Sequence, residues 1–320
     1  MNSIELGAGA EFDAIRRIVN ALGRNADGLG DDCGFVQVGP DWLAISTDTS
    51  VEGTHFKREW LSLPEIGFRA TGAALSDLAA VGASAPRILA AITAPDSSAA
   101  EQLMTGVGHA AAATDAMIIG GDLTRSRDLS LTITVIGQTR QPVYRSGARA
   151  GNSIWVSGEL GLARAALESW RRGDHPTTAA RERFARPLPR LEAGQWLAAH
   201  GATAMLDISD GLVGDAGHIA AASACRMDIA VDLLPLHPEV IVAAAAAGIS
   251  PQLFAATGGE DYELLVTLPA RFNQAAEFVS ATGLSLTRIG ACVSAADGRH
   301  EAVITLGGKR VELRGFDQYQ

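Results

Sequence analysis

The stretch WLAISTDTS, residues 42–50, carries two patterns in nine positions. It starts as a strand, apolar from Trp42 to Ile45, and then turns into Ser46, Thr47, Asp48, Thr49 and Ser50. Four hydroxyls surround one carboxylate, and no Lys or Arg stands beside it. A strand that ends in oxygen donors is what an open α/β sheet presents where its ligands bind.

Working outward, FVQV (35–38) reads as a partner strand joined to it by a tight GPD turn. Upstream, FDAIRRIVNAL (12–22) has the spacing of an amphipathic helix. Downstream, PEIGFRATGAALSDLAAVGA (64–83) reads as a helix with Pro64 near its start. RILAAIT (87–93) is expected to be a strand and SSAAEQLMTGVGHAAAAT (97–114) a helix. AMII (116–119) reads as a strand that stops at Gly120, Gly121 and Asp122, and LSLTITVIGQT (129–139) as a long strand. The segment RQPVYRSGARAGN, with Pro142, Gly147 and Gly151, has the composition of a joint. Beyond it SIWVSG, TAMLDIS, MDIAVDL and DYELLVTLP read as strands. GLARAALESW, LEAGQWLAAHG and GLVGDAGHIAAAS read as helices, and an Arg-rich excursion fills 171–190. Strands interleaved with helices in both halves predict two α/β (α+β) domains, 1–140 and 141–320.

Composition narrows the function. The chain has 320 residues, 47% of them hydrophobic, enough for a sizeable core. A formal net charge of -10 argues against nucleic acid or a membrane surface as partner. The lysines are Lys57 and Lys309, so a phosphate contact falls to an arginine fork. Cys33, Cys225 and Cys292 form no CxxC or zinc spacing and suit a reduced, cytoplasmic protein. The N-terminus lacks an apolar signal core, and IVAAAAAG (241–248) is too short to span a bilayer.

Acids then recur beside glycine or after apolar runs: GDD (30–32), STDTS (46–50), LSDLAA (75–80), GGDLT (120–124), LDISDG (206–211) and GGEDYELL (258–265). Each alone reads equally as a turn, a helix cap or a solvated surface acid. Together, on both halves, they suggest oxygen ligands for a hard cation such as Mg²⁺, carried with a phosphorylated substrate. No GxxxxGK[ST], HRD, DFG or GxSxG occurs, which excludes the phosphate-loop, protein-kinase and serine-hydrolase patterns. Of the seven histidines, His55 follows STDTS closely enough to belong with it, though a structural histidine reads equally well there.

The set GDD, STDTSVEGTHF, LSDLAAVGA, IIGGD, RSGARAGN, DISDGL and GGEDYELL resembles the thiamine-monophosphate kinase family, within the superfamily of aminoimidazole ribonucleotide synthetase. The resemblance runs from Phe12 to about Asp317. It implies Mg²⁺-dependent, direct in-line transfer of the γ-phosphate of ATP to thiamine monophosphate, giving thiamine diphosphate. It also implies a two-domain fold whose N-terminal domains pair into a barrel across a homodimer. Residues 1–140 would then bind ATP and Mg²⁺ and dimerise, and 141–320 would complete the cleft. The family's metal ligands fall on Asp32, Ser46, Thr47, Asp48, Asp77, Asp122, Asp207 and Asp210, and its nucleotide contacts on Gly121, Asp122, Arg145 and Ser209. Substrate contacts fall on His55, Glu260 and Phe316, and the catalytic set is Asp48, Asp122, Arg145 and Asp210. Departures from the family pattern stand at Ala74, Leu123 and Asn152. The alternatives are a superfamily paralogue phosphorylating another small acceptor, or a catalytically silent nucleotide-binding dimer.

Overall fold

A computed structural model describes residues 9–26, 28–295 and 298–313. Phe316 lies outside the described residues. The chain opens with α1 (Ala10–Leu22), then β1 (Gly34–Val38) and β2 (Asp41–Val51), which pair antiparallel through the expected turn. α2 (Leu63–Ala80) starts where Ser62 and Glu65 cap it reciprocally: the Ser62 N–H and hydroxyl each donate to Glu65 at 2.8 Å. β3 (Ser84–Ala94), α3 (Ser97–Ala113), β4 (Met117–Arg125) and β5 (Ser130–Thr139) complete the first half.

These strands form a five-stranded mixed sheet in the order β1-β2-β5-β3-β4, with β3 and β4 parallel. Leu131, Ile133 and Val135 of β5 are fully buried on the face beneath the helices. α2 and α3 pack closely because Gly67 and Gly106 stand at their crossing. A Cβ on Gly67 would meet the Leu103 carbonyl oxygen at 2.0 Å, and one on Gly106 the Pro64 oxygen at 1.9 Å. The opposite face of the sheet is open. Its centre holds Thr47 bonded to Thr134 at 2.9 Å and Thr49 bonded to Thr132 at 3.0 Å. The edge strand β4 exposes Met117, Ile119 and Leu123, each more than half.

The second half contains β6 (Ser153–Ser157), α4 (Leu162–Arg171), α5 (Thr178–Ala185), α6 (Leu191–Ala199), β7 (Ala204–Asp207), α7 (Leu212–Ala222) and β8 (Arg226–Ala230). It continues with α8 (Pro238–Ala247), α9 (Pro251–Ala256), β9 (Leu264–Leu268), α10 (Ala275–Thr282), β10 (Leu286–Val293), β11 (Ala302–Leu306) and β12 (Lys309–Val311). Seven strands order as β12-β11-β8-β10-β6-β9-β7, antiparallel except for β8 with β11. The protein is thus a two-domain α/β fold with two mixed sheets. α2 joins them, packing on β2 and β5 on one side and on α6 and β7 on the other.

Three sequence readings change here. STDTS does not end a strand: β2 runs on through Val51. GGD does not stop β4, which continues to Arg125. The Arg-rich excursion holds a helix, α5, capped by the Thr177 hydroxyl, which accepts the Ala180 N–H. Threonine is a good strand residue. Hydroxyl content therefore did not mark a strand end.

Candidate functional site

Because β2 continues, its side chains alternate between faces. Ser46 and Asp48 point to the helix side and Thr47 and Thr49 to the open side. Asp48 pairs with buried Ile133, and Thr47 with Thr134. On the helix side the Ser46 hydroxyl donates to Asp77 of α2 at 2.5 Å. Asp32, from the loop before β1, and Asp207, at the end of β7, complete the group. One carboxylate oxygen from each of Asp32, Asp77 and Asp207 lies within 4.8 Å of the others.

Burial raises these acids, and their neighbours raise them further. Asp77 is pushed well above the usual carboxylate range by burial, then by Asp48, Asp207 and Asp32. Burial and Asp32 push Asp207 to about 8. Burial raises Asp48 too, with His55 opposing and Glu260 and Asp32 adding. A bound cation would let these acids ionise together, where without one they hold their protons. Oxygen-only donors on three separate segments fit a hard divalent ion such as Mg²⁺.

Arg145 is the guanidinium at this site. Its Nη2 donates to Asp32 Oδ1 at 2.6 Å and its Nε to Oδ2 at 3.4 Å. Its backbone is pinned as well: the Arg145 N–H donates to Asp31 at 3.0 Å, and its carbonyl accepts the Ser223 hydroxyl at 3.0 Å. Burial works against its charge, but Asp32, Asp31 and Asp215 keep it fully protonated. Asp31 rises to about 7, from burial and then Asp32, with Arg145 opposing. Asp215, buried in the first turn of α7, accepts the Asp210 N–H at 3.2 Å and so fixes the DISDG loop. Sequence reasoning missed Asp31 and Asp215. Asp215 could have been suspected from its place one turn into the helix that Asp210 precedes.

The GGEDYELL loop is sewn to DISDG by backbone bonds. Glu260 N–H donates to the Ser209 carbonyl, Tyr262 N–H to Ile208, and Ile208 N–H to Glu263, each at 2.8 Å. A Cβ on Gly259 would meet the Ser209 oxygen at 2.4 Å, so only glycine allows this approach. Glu260 and Tyr262 both adopt left-handed backbone, at φ 72° and 50°. Such strain persists where the surroundings over-determine it, as in ligand sites. The Glu260 carboxylate is ion-paired with Arg69 and accepts the Tyr262 hydroxyl at 2.7 Å. Arg69 also donates to the Phe184 carbonyl at 2.6 Å and lies 3.7 Å over its ring.

A cleft of about 650 Å³ is lined by Asp48, Asp77, Asp207, Ser209 and Asp210, and equally by His55, Trp60, Arg164 and Glu260. His55 accepts the Val51 N–H on Nδ1 at 3.1 Å, which leaves Nε2 as its donor. The structure therefore brings together Asp32, Ser46, Asp48, Asp77, Arg145, Asp207, Ser209 and Asp210, with His55 and Glu260 in the same cleft.

It does not bring in Thr47, Gly121 and Asp122. Asp122 pairs with Ala91, Ala91 with Thr132, and Thr132 with Thr49. Asp122 thus stands on the open face, three strand spacings from β2, or about 14 Å at the usual spacing. Its carboxylate accepts the Thr124 hydroxyl at 3.3 Å.

Comparison with known proteins follows the same lines. Residues 30–139 match the model of the AIR synthase related protein, N-terminal domain, and residues 149–302 that of its C-terminal domain. The thiamine-monophosphate kinase of Mycobacterium tuberculosis is 36% identical, over 80% of this chain and 79% of its own. That of Aquifex aeolicus is 32% identical over 98% and 99%. Among solved structures, "AaThiL complexed with AMPPCP and TMP" superposes with a TM-score of 0.84 at 32% identity, covering 96% of both chains.

Proposed function

This chain belongs to the AIR synthase-related proteins and, within them, to the thiamine-monophosphate kinases, and from that membership we propose how its residues divide the work. The reaction moves the γ-phosphate of ATP onto the phosphate of thiamine monophosphate. The observation that carries the assignment of parts is the convergence of Asp32, Asp77 and Asp207 within 4.8 Å, in a cleft that also holds His55 and Glu260.

Asp32, Ser46, Asp48, Asp77, Asp207 and Asp210 would hold Mg²⁺. When bound, Mg²⁺ neutralises the phosphates and sets them in line, which is most of what phosphoryl transfer requires. Arg145, already charged and half-buried beside Asp32, supplies a second positive group to the phosphates, and Ser209 lines their path. The acceptor phosphate is anionic near neutral pH, so no strong general base is needed and transfer is direct. His55 offers its Nε2–H to the substrate, and Glu260 borders the same space. Residues 1–140 carry most of the metal and nucleotide site, and 141–320 close the cleft. The free cysteines suit a cytoplasmic setting.

Thr47, Gly121 and Asp122 join this scheme through a second copy. The first sheet's open face and the exposed β4 are surfaces that a homodimer would cover by pairing two sheets into a barrel. Asp122 and Gly121 of one protomer then serve the cleft of its partner. Asp77→Asn and Asp122→Asn should each be inactive alone. Mixed and re-associated, they should recover about one quarter of wild-type activity, since half the dimers are mixed and each has one intact site. No recovery would place both acids within one protomer.

A further inference from the structure

We propose that Trp60 is the surface on which the thiazolium ring of thiamine monophosphate lies, with Lys57 keeping that place until the substrate displaces it. This rests on the kinase reading above. Trp60 lines the cleft together with His55 and Glu260. One face of its indole is backed by Trp170, the rings nearly parallel at 5° and 5.3 Å apart. Trp170 is held in turn by Phe184, edge-on at 5.2 Å, and Phe184 lies under the Arg69 guanidinium. The orientation of Trp60 is thus fixed from behind by a column of rings anchored to the residue that pairs with Glu260.

The indole already takes a cation. The Lys57 ammonium lies 4.6 Å from the ring centroid. It is ion-paired with Glu59 at 3.5 Å, and both side chains are about half exposed or more, so little holds it there. A planar, poorly hydrated cation competes well with a strongly hydrated ammonium for an indole face. Glu260 does not supply the preference for a cation unaided, because Arg69 offsets its charge. Trp60, in the cleft and already under a cation, is placed to make the choice between a charged and an uncharged ring.

The test compares thiamine monophosphate with its uncharged isostere, in which a thiophene replaces the thiazolium, on the full-length enzyme. Trp60→Leu should raise the KM for thiamine monophosphate about 10-fold, within the range of a desolvated cation–π contact, and leave the KM for ATP unchanged. It should erase the preference for the charged substrate, and Trp60→Phe should restore most of it. Lys57→Met should leave that KM unchanged or lower it. An unchanged preference in Trp60→Leu overturns the assignment while leaving the kinase reading intact. So does a KM raised by Lys57→Met as much as by Trp60→Leu. A wild-type enzyme that turns over neither substrate overturns the kinase reading and this assignment with it.

Discussion

Asp77→Asn is expected to lower turnover on the order of 10³-fold, the scale of losing a group that stabilises transferring charge, and to raise the melting temperature of the metal-free protein. The two effects have one cause. Asp77 sits among Asp48, Asp207 and Asp32, which with burial push it far above the usual carboxylate range. Replacing it with an isosteric amide removes repulsion from the empty site and a ligand from the filled one. The pH dependence follows from the sign of these shifts. Asp207 titrates near 8 and Asp31 near 7 in the fold, against about 3.9 for an unfolded Asp. Folded values above unfolded ones mean stability that is fully present below about pH 4 and lost as pH rises through 7 to 8. The metal-free protein should therefore melt lower at pH 8 than at pH 6. Mg²⁺ should stabilise it more at pH 8, and Asp77→Asn should flatten the slope. Thermal melts in chelator at the two pH values measure this. A variant that melts lower at pH 8 yet keeps its turnover would sink the account of the acidic group.

The largest stability effect is expected at Glu263, which has no contact with solvent. It accepts Arg183 at 2.5 Å, Arg190 at 2.6 and 3.0 Å, and the Ser157 hydroxyl at 2.6 Å. The same Arg183 donates to the Asp261 carbonyl at 2.8 Å, so the network holds the loop that presents Glu260. Glu263→Ala leaves buried guanidinium groups without their carboxylate, and should cost about 3–5 kcal/mol in urea unfolding. Exposed pairs such as Arg186 with Glu182 should cost well under about 1 kcal/mol when broken. Equal costs at the two sites would contradict this reading of the network.

Much of the architecture was legible because apolar periodicity decides it. The α3 segment, expected at 97–114, forms at Ser97–Ala113, and the β5 segment, expected at 129–139, forms at Ser130–Thr139. Asp32, Asp77 and Asp207 could be singled out as acids beside glycine or apolar runs, and the fold brings them together. What escaped the sequence is direction. STDTS reads as one cluster, yet the strand sends Ser46 and Asp48 one way and Thr47 the other. Asp122 has the same composition signal as Asp77, but strand order puts it on the sheet's far edge. The partners of Arg69 also escaped, because Phe184 lies 115 positions away in a stretch that reads as mere polar excursion. Trp60 gave no signal for the same reason: its backing ring, Trp170, belongs to the other half of the chain.

The most direct measurement is the product itself. The protein is incubated with ATP and thiamine monophosphate, with Mg²⁺ or with chelator, and thiamine diphosphate is followed by mass. The account predicts product with Mg²⁺ alone, lost in Asp48→Asn while ATP is still bound. Product formed equally in chelator, or undiminished in Asp48→Asn, would contradict it.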